Sequence, residues 1–201
     1  GSEMCIRDRF KVLPIAETQS TLKINFCDAN ILNKAINTPY DVSGTFYDVG
    51  SRVSYIRVEG FDKSVKYRIK QLLGEFSDFE VDILEMEESK KFWQNVSNLD
   101  FLKNIKGDLW RVSVRPTDGV KIIQMLNPKV GFLDWCGGLV WLRVDEGFDV
   151  REKMQKVAGH AMCLLGKFEQ FHPISTAEKT LSNSIRKKFD PKMLLNQELL
   201  N

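Results

Sequence analysis

The chain has 201 residues, of which 43% are hydrophobic and 28% charged, and its formal net charge is +2. This composition is that of a globular protein that folds as one ordinary domain or as two small ones. The nearly balanced charge gives no electrostatic reason to expect DNA, RNA or an anionic membrane as a partner. Apolar runs such as 137–142 are too short to span a bilayer, so we expect no direct membrane insertion and a cytoplasmic location.

Cysteine spacing argues against a metal site. The four cysteines are Cys5, Cys27, Cys136 and Cys163, and they form no C-x-x-C pair. No histidine stands at ligand spacing from any of them, so a zinc site is not predicted. We expect half-buried, reduced thiols in a reducing cytoplasm, where they serve as inert residues of the core.

Residues 1–9, Gly-Ser-Glu-Met-Cys-Ile-Arg-Asp-Arg, carry no periodicity that joins them to the rest of the chain. They are similar to the peptide obtained when sequencing-adapter bases are translated, so we interpret them as a non-native leader. On this interpretation the natural chain enters near Phe10, already inside a larger protein.

The first half of the chain predicts six elements. In chain order they are a strand at 22–27, a helix capped by Asp28, strands at 41–48 and 51–59, a helix capped by Asp62, and a strand at 79–83. Period-two alternation predicts the strands, and apolar residues three and four apart predict the helices.

A polar linker helix over 87–103 separates the halves, and the same order then returns. The second set is a strand at 109–114, a helix over 117–125, strands at 129–135 and 139–144, a helix over 150–158 and a strand at 161–165. Gly137 and Gly138 are expected to take the positive φ angles of a tight hairpin.

The order β-α-β-β-α-β therefore occurs twice. It predicts an α+β protein with antiparallel strands, built as a duplicated ferredoxin-like unit. The predicted organisation is a first unit at 10–86, a helical linker at 87–108, a second unit at 109–170, and a C-terminal helix and tail at 171–201.

The C-terminal helix has a clear beginning and end. Ser175 and Glu178 form a candidate capping box, and Pro191 terminates the helix. Leu181, Ile185 and Phe189 lie at steps of four, so we expect that face to dock on a neighbouring surface.

The sequence contains no G-x-S-x-G elbow, Walker loop, G-x-G-x-x-G fingerprint or H-E-x-x-H pair. Of the two histidines, His160 comes after a predicted helix end, where its ring could reach a pocket rim or interact with the last helix carbonyls. Trp135 and Trp141 could wall a planar cofactor or pack under a helix. Arg111 alternates with core residues, so it could anchor an acid substrate or lie on a solvated sheet face.

Several segments, taken in order, carry a resemblance to one family. They are Phe10-Lys-Val-Leu-Pro, Asp41-Val-Ser-Gly44, Arg57-Val-Glu-Gly-Phe61, Leu109-Trp-Arg-Val-Ser113, Asp134-Trp-Cys-Gly-Gly-Leu-Val-Trp-Leu142, Gly159-His160, and Phe189-Asp-Pro191 with Asn196. This succession resembles the C-terminal half of the FAD-binding subunit of bacterial glycolate oxidase, an FAD-linked oxidase of the vanillyl-alcohol-oxidase type. The segment from Asp134 to Leu142 is the most specific match.

The resemblance implies a cap domain that sits over the flavin ring of a separate N-terminal FAD domain. It implies oxidation of glycolate or another 2-hydroxy acid by hydride transfer to FAD, with Asn196, Trp135 and Trp141 near the flavin and His160 and Arg111 as catalytic candidates. The implied partners are a larger flavin subunit and an iron–sulfur subunit, through which the protein would be cytoplasmic or peripheral to the inner membrane. The fragment alone is expected to be inactive.

Two other classes of function stay open. Duplicated ferredoxin-like domains also serve as non-enzymatic ligand-binding modules, because a sheet face can hold a small molecule. A purely structural subunit that assembles an electron-transfer complex would share the same fold.

Overall fold

The structure is a computed structural model that describes residues 14–195. Within this range the chain forms one eight-stranded antiparallel sheet and six helices. The strands are Thr18–Ile24 (β1), Gly44–Asp48 (β2), Val53–Gly60 (β3), Val81–Leu84 (β4), Asp108–Val114 (β5), Val130–Asp134 (β6), Leu139–Val144 (β7) and Gly159–Leu165 (β8). The helices are Asn30–Ile36 (α1), Asp62–Glu75 (α2), Met86–Ser97 (α3), Gly119–Leu126 (α4), Val150–Lys153 (α5) and Thr176–Phe189 (α6). The predicted α+β class, with an antiparallel sheet and a C-terminal helix, is confirmed.

The strand order across the sheet is β4-β1-β3-β2-β6-β7-β5-β8. Each half of the chain therefore supplies four adjacent strands. The halves meet where β2 pairs with β6, through Phe46 opposite Asp134 and Asp48 opposite Phe132. The sheet is consequently continuous across the middle of the molecule.

One face of the sheet, here called the first face, carries the main core. In β1 the alternation of Leu22 and Ile24 with Thr21 and Lys23 sends the apolar pair to this face. Helices α1, α2, α4 and α5 contribute buried residues to the same cluster, among them Leu32, Leu72, Ile122 and Val150. The fully buried Trp110 of β5 belongs to this cluster as well.

The opposite, second face carries a smaller aromatic cluster under α3. Phe46 and Phe132 from the sheet pack with Trp93 of α3. A buried polar contact fixes the helix, because the hydroxyls of Thr21 and Ser89 lie 2.7 Å apart and Trp93 Nε1 donates to Thr21 Oγ1 at 2.9 Å. The helix predicted as a linker is therefore a cover for one part of the sheet.

Replacing Thr21 by valine is expected to lower the free energy of unfolding by about 1–3 kcal/mol. Valine has nearly the same shape, but it leaves the Trp93 indole N–H and the buried Ser89 hydroxyl without this partner. Urea unfolding followed by circular dichroism measures the change, with the exposed Thr117→Val as the matched control. Equal effects of the two substitutions would contradict the role of this contact.

Two predicted helices are wrong in length. Helix α5 ends at Lys153 instead of 158, because residues from Gly159 onward pair with β5 and the chain must leave the helix to reach that strand. The linker helix ends at Ser97, since Leu99 takes a left-handed φ of 55° before a short 3-10 turn at Asp100–Leu102. Asp62 does not cap α2; it lies in the first turn, where it pairs with Lys66.

Strand bounds also differ from prediction by one to four residues in every strand except β7, and most of all in β1. The first strand runs over Thr18–Ile24 instead of 22–27, because Phe26 turns the chain with a φ of 52°. The strand predicted at 79–83 begins at Val81. By contrast β7 has the predicted bounds, Leu139–Val144.

The C-terminal helix α6 keeps its predicted capping box, in which Ser175 Oγ accepts from the Glu178 N–H. Its apolar stripe does not dock on the described residues. Leu181, Ile185 and Phe189 are 63%, 51% and 84% exposed, and α6 has no buried residue. The link over 166–175 itself lies along β8, where Gln170 O accepts from the Cys163 N–H and His172 Nδ1 accepts from the Ala161 N–H. The expected docking of the α6 stripe is therefore not found within residues 14–195. In residues 14–195 no helix has the length and apolar character needed to cross a membrane.

Candidate functional site

A cleft of about 440 Å³ lies on the second face, beside α3. Its lining includes Arg57, Trp93, Arg111, Asp134, Trp135 and Trp141. Three residues singled out from the sequence, Arg111, Trp135 and Trp141, therefore lie together.

Strand register explains how residues distant in sequence meet in the cleft. Trp141 of β7 stands opposite Arg111 of β5 and opposite Phe132 of β6. Asp134 lies two residues beyond Phe132 on the same strand, so it points to the same face. Because Phe132 belongs to the second-face cluster, the side chains of Arg111, Trp141 and Asp134 all project from that face.

The turn between β6 and β7 shapes the rim of the cleft. Trp135, Cys136 and Gly137 have φ values of 49°, 58° and 95°. The prediction of positive φ at both glycines is wrong, because Gly138 has a φ of −78° and the left-handed positions fall on Trp135 and Cys136 instead. Such residues cost about 1–3 kcal/mol each and persist only where their surroundings hold them.

Two hydrogen bonds hold this turn. Asp134 Oδ1 accepts from the Trp135 N–H at 2.7 Å, and Thr45 Oγ1 accepts from the Cys136 N–H at 2.9 Å. The turn leaves the Trp135 ring 59% exposed at the rim. Cys136 is half-buried, as expected, in the lining of the cleft, whereas Cys27 and Cys163 are fully buried.

Arg111 lies between two indoles. Its Cζ atom is 5.5 Å from the centre of the Trp135 ring and 5.8 Å from that of Trp141, within the range of cation–π attraction. Its only hydrogen-bond contact among the described residues is Nη1 to Met162 Sδ, at 4.0 Å. Within residues 14–195 the guanidinium therefore has no oxygen acceptor, and its donors are open to a ligand.

Arg57, which also lines the cleft, is by contrast engaged through its Nε and Nη2 atoms. Its Nε donates to Ser43 Oγ at 3.2 Å and lies 3.4 Å from Glu59 Oε2, and its Nη2 donates to the Ser43 carbonyl. Its Cζ also lies 4.8 Å from the centre of the Trp93 ring. Arg57 is therefore held by oxygen partners of the protein, whereas Arg111 has only a sulfur contact and is the cation with more donors available for binding.

Asp134 places a carboxylate in the cleft. Burial raises the pKa of this carboxyl group above its ordinary value, while the Trp135 N–H and the charge of Arg57 pull it down. Asp134, Arg57 and Trp93 were not predicted from the sequence as site residues. Asp134 and Arg57 could have been identified from their positions in alternating strands. Each lies two residues from an aromatic side chain that projects from the same face of the sheet.

His160 does not join this group. It is an exposed residue of β8, outside the lining of the cleft and seven residues beyond the last residue of α5, so it is not a helix cap. Its ring lies 5.5 Å from that of His172, whose Nδ1 accepts from the Ala161 N–H. Burial, Arg151 and His160 lower the pKa of His172. Asn196, the other predicted flavin contact, lies outside the described residues.

Comparison with known proteins adds no identification. No protein-family model matches the chain, and no curated protein matches it.

Proposed function

We propose that the chain is the substrate-side cap portion of an FAD-binding subunit of the glycolate oxidase type, acting on a small 2-hydroxy acid. The observation that carries this proposal is Arg111, a guanidinium held between Trp135 and Trp141 at a cleft, with no oxygen acceptor among the described residues. The resemblance of the segment from Asp134 to Leu142 supports the same family.

The cleft suits a small carboxylate. A guanidinium presents parallel N–H donors that match the two oxygens of a carboxylate, and such charged hydrogen bonds are stronger than neutral ones. The flanking indoles exclude water from one side of the pair, which strengthens its electrostatic attraction. Arg111 would therefore hold the acid group and leave the rest of the molecule in the cleft.

The aromatic rim fits a planar cofactor ring better than a phosphate. Trp135 exposes a large flat surface at the rim, beside the cation that would hold the substrate. When bound, FAD would supply the acceptor for the hydride that leaves the alcohol carbon. In this proposal an N-terminal domain that precedes Phe10 holds most of the FAD, and Trp135 and Trp141 contribute only a wall.

The sheet supports the duplication that the family implies. Counted outward from the β2–β6 junction, the first half runs β2-β3-β1-β4 and the second half runs β6-β7-β5-β8, which is the same order of corresponding strands. We therefore propose two ferredoxin-like units joined edge to edge.

The proposal includes a larger flavin subunit and an iron–sulfur subunit as partners, with a cytoplasmic location or attachment to the inner membrane through them.

A non-enzymatic ligand-binding module is the second candidate. It rests on the same cleft, which brings Arg111, Asp134 and Trp135 together within residues 14–195. The two candidates differ in what the gene encodes directly upstream of Phe10. A glycine-rich flavin domain there, with glycolate-dependent dye reduction by the complete protein and its partners, supports the oxidase. A start codon immediately before Phe10 would exclude it in favour of the binding module.

Replacing His160 by alanine is expected to leave acid binding unchanged, within about twofold, because this side chain lies outside the cleft and an exposed site contributes little to a distant one. Calorimetric titration of glycolate into the wild-type and variant chains measures this. If His160→Ala lost as much affinity for glycolate as an Arg111 variant, the result would show that His160 belongs to the binding site.

A further inference from the structure

We infer that Asp134 recognises the 2-hydroxyl group of the bound acid, accepting its hydrogen bond through Oδ2 while Arg111 holds the carboxylate. This inference rests on the proposed function, since it assigns the orientation of the substrate within the same cleft. It adds a specificity-determining residue on β6 to the cation on β5.

The geometry places the two groups on one patch of the second face. Asp134 and Arg111 are separated by one intervening strand, β7, and by two residues along the strand direction. With strands about 4.8 Å apart and residues about 3.4 Å apart, their Cα atoms lie about 12 Å from each other. Both side chains line the same cleft of about 440 Å³, which has room for a short hydroxy acid. The Trp135 ring, directly after Asp134, is also one of the two that flank the Arg111 guanidinium.

Only one oxygen of Asp134 is committed to the fold. Oδ1 accepts the Trp135 N–H at 2.7 Å, and Oδ2 has neither a hydrogen bond nor an ion pair within 4.0 Å among the described residues. An ionised carboxylate only accepts hydrogen bonds, so the ligand group that completes it must be a donor. In a 2-hydroxy acid held by its carboxylate, the hydroxyl is that donor.

The same contact would serve the proposed oxidation. Asp134 Oδ2 would take the hydroxyl proton as the alcohol becomes a 2-oxo acid, and FAD, when bound, would supply the acceptor for the hydride that leaves C2. Burial raises the pKa of this carboxyl group, which makes it a better proton acceptor than an exposed aspartate.

Asp134 also has a structural role, because it caps the turn that carries Trp135. The Asp134→Asn variant separates the two roles. An asparagine carbonyl oxygen still accepts the Trp135 N–H, and the amide group then turned to the cleft is neutral and carries no free acceptor. The turn is therefore kept and the carboxylate is removed.

The test compares glycolate with acetate, which lacks the hydroxyl, by calorimetric titration into the wild-type chain, Asp134→Asn and the exposed control Asp145→Asn. The ratio of the two affinities is the quantity to compare, because losing a negative charge in the cleft tightens the binding of both acids. A charged hydrogen bond is expected to give a glycolate preference of about tenfold in the wild type and in Asp145→Asn, falling to about threefold or less in Asp134→Asn.

A preference that survives in Asp134→Asn overturns the inference. Equal affinities for glycolate and acetate in the wild type also overturn it, but they leave the carboxylate site at Arg111 standing. If the wild-type chain binds neither acid, the proposed function fails and the inference fails with it.

Discussion

Replacing Arg111 by glutamine is expected to lower the affinity of the chain for glycolate by about 10- to 150-fold, since hydrogen bonds to charged groups contribute about 1.5–3 kcal/mol. The effect is large because the guanidinium has no oxygen acceptor within residues 14–195. The substitution therefore removes a group directed at the ligand without breaking an internal ion pair. Arg111→Lys keeps the charge but loses the planar guanidinium, whose parallel N–H groups can bind both oxygens of a carboxylate. The affinity of this variant for glycolate should therefore fall between those of the wild type and the glutamine variant.

Arg115→Gln is the charge control for Arg111→Gln. It removes the same charge just beyond the end of β5, from a side chain that is 75% exposed and does not line the cleft. It breaks the ion pair of Arg115 with Asp118, which keeps its second partner Lys121. Calorimetric titration measures binding, and circular dichroism establishes that each variant is folded. Equal losses in the two glutamine variants would show that net charge alone attracts the acid, and would contradict a site at Arg111.

Replacing Gly119 by alanine is expected to destabilise the protein by about 2–3 kcal/mol, the usual cost of an extra methyl group in a close-packed site. A Cβ atom at this position would lie 2.0 Å from the carbonyl oxygen of Gly137 and 3.2 Å from Leu133 Cδ2. The oxygen is backbone, so it moves only if the whole turn between β6 and β7 moves. Since this turn carries Trp135 and Cys136, the cleft should lose its rim as well.

Gly74→Ala is the matched control for Gly119→Ala, and it should have the opposite sign. Both glycines lie in helices, but a Cβ atom at Gly74 meets nothing within 4 Å. There alanine should raise the free energy of unfolding by about 0.5–1 kcal/mol through its better helix propensity. Urea unfolding of both variants makes the comparison. A Gly119→Ala protein stabilised like Gly74→Ala would contradict the close contact between α4 and the turn.

Local patterns in the sequence predicted local structure well. The alternation in 139–144 predicted the whole of β7, and Ser175 with Glu178 predicted the capping box at the start of α6. The order of strands and helices was also predictable, because each element has its own periodicity. Arg111, Trp135 and Trp141 were identified as site candidates from their residue type and their place in or beside predicted strands.

Other features depend on contacts between distant residues, which no local pattern contains. The pairing of β2 with β6 joins Phe46 to Asp134 across 88 residues and creates the floor of the cleft. Trp93 was expected on a linker, yet its bond to Thr21 makes α3 a cover of the second face. The left-handed conformations of Trp135 and Cys136 oppose the intrinsic preference of those residues. They are held by Asp134 and Thr45, and Thr45 is supplied by the other half of the chain.

The most direct test of the account is the visible spectrum of the proposed full-length subunit, with its proposed FAD domain, reconstituted with FAD in the absence of oxygen. Addition of glycolate should bleach the oxidised flavin band in the wild type, and at the same glycolate concentration the bleaching should be slower in Arg111→Gln. Bound flavin that stays oxidised with glycolate and other short 2-hydroxy acids, or bleaches equally fast in Arg111→Gln, would contradict the assignment of this cleft to their oxidation.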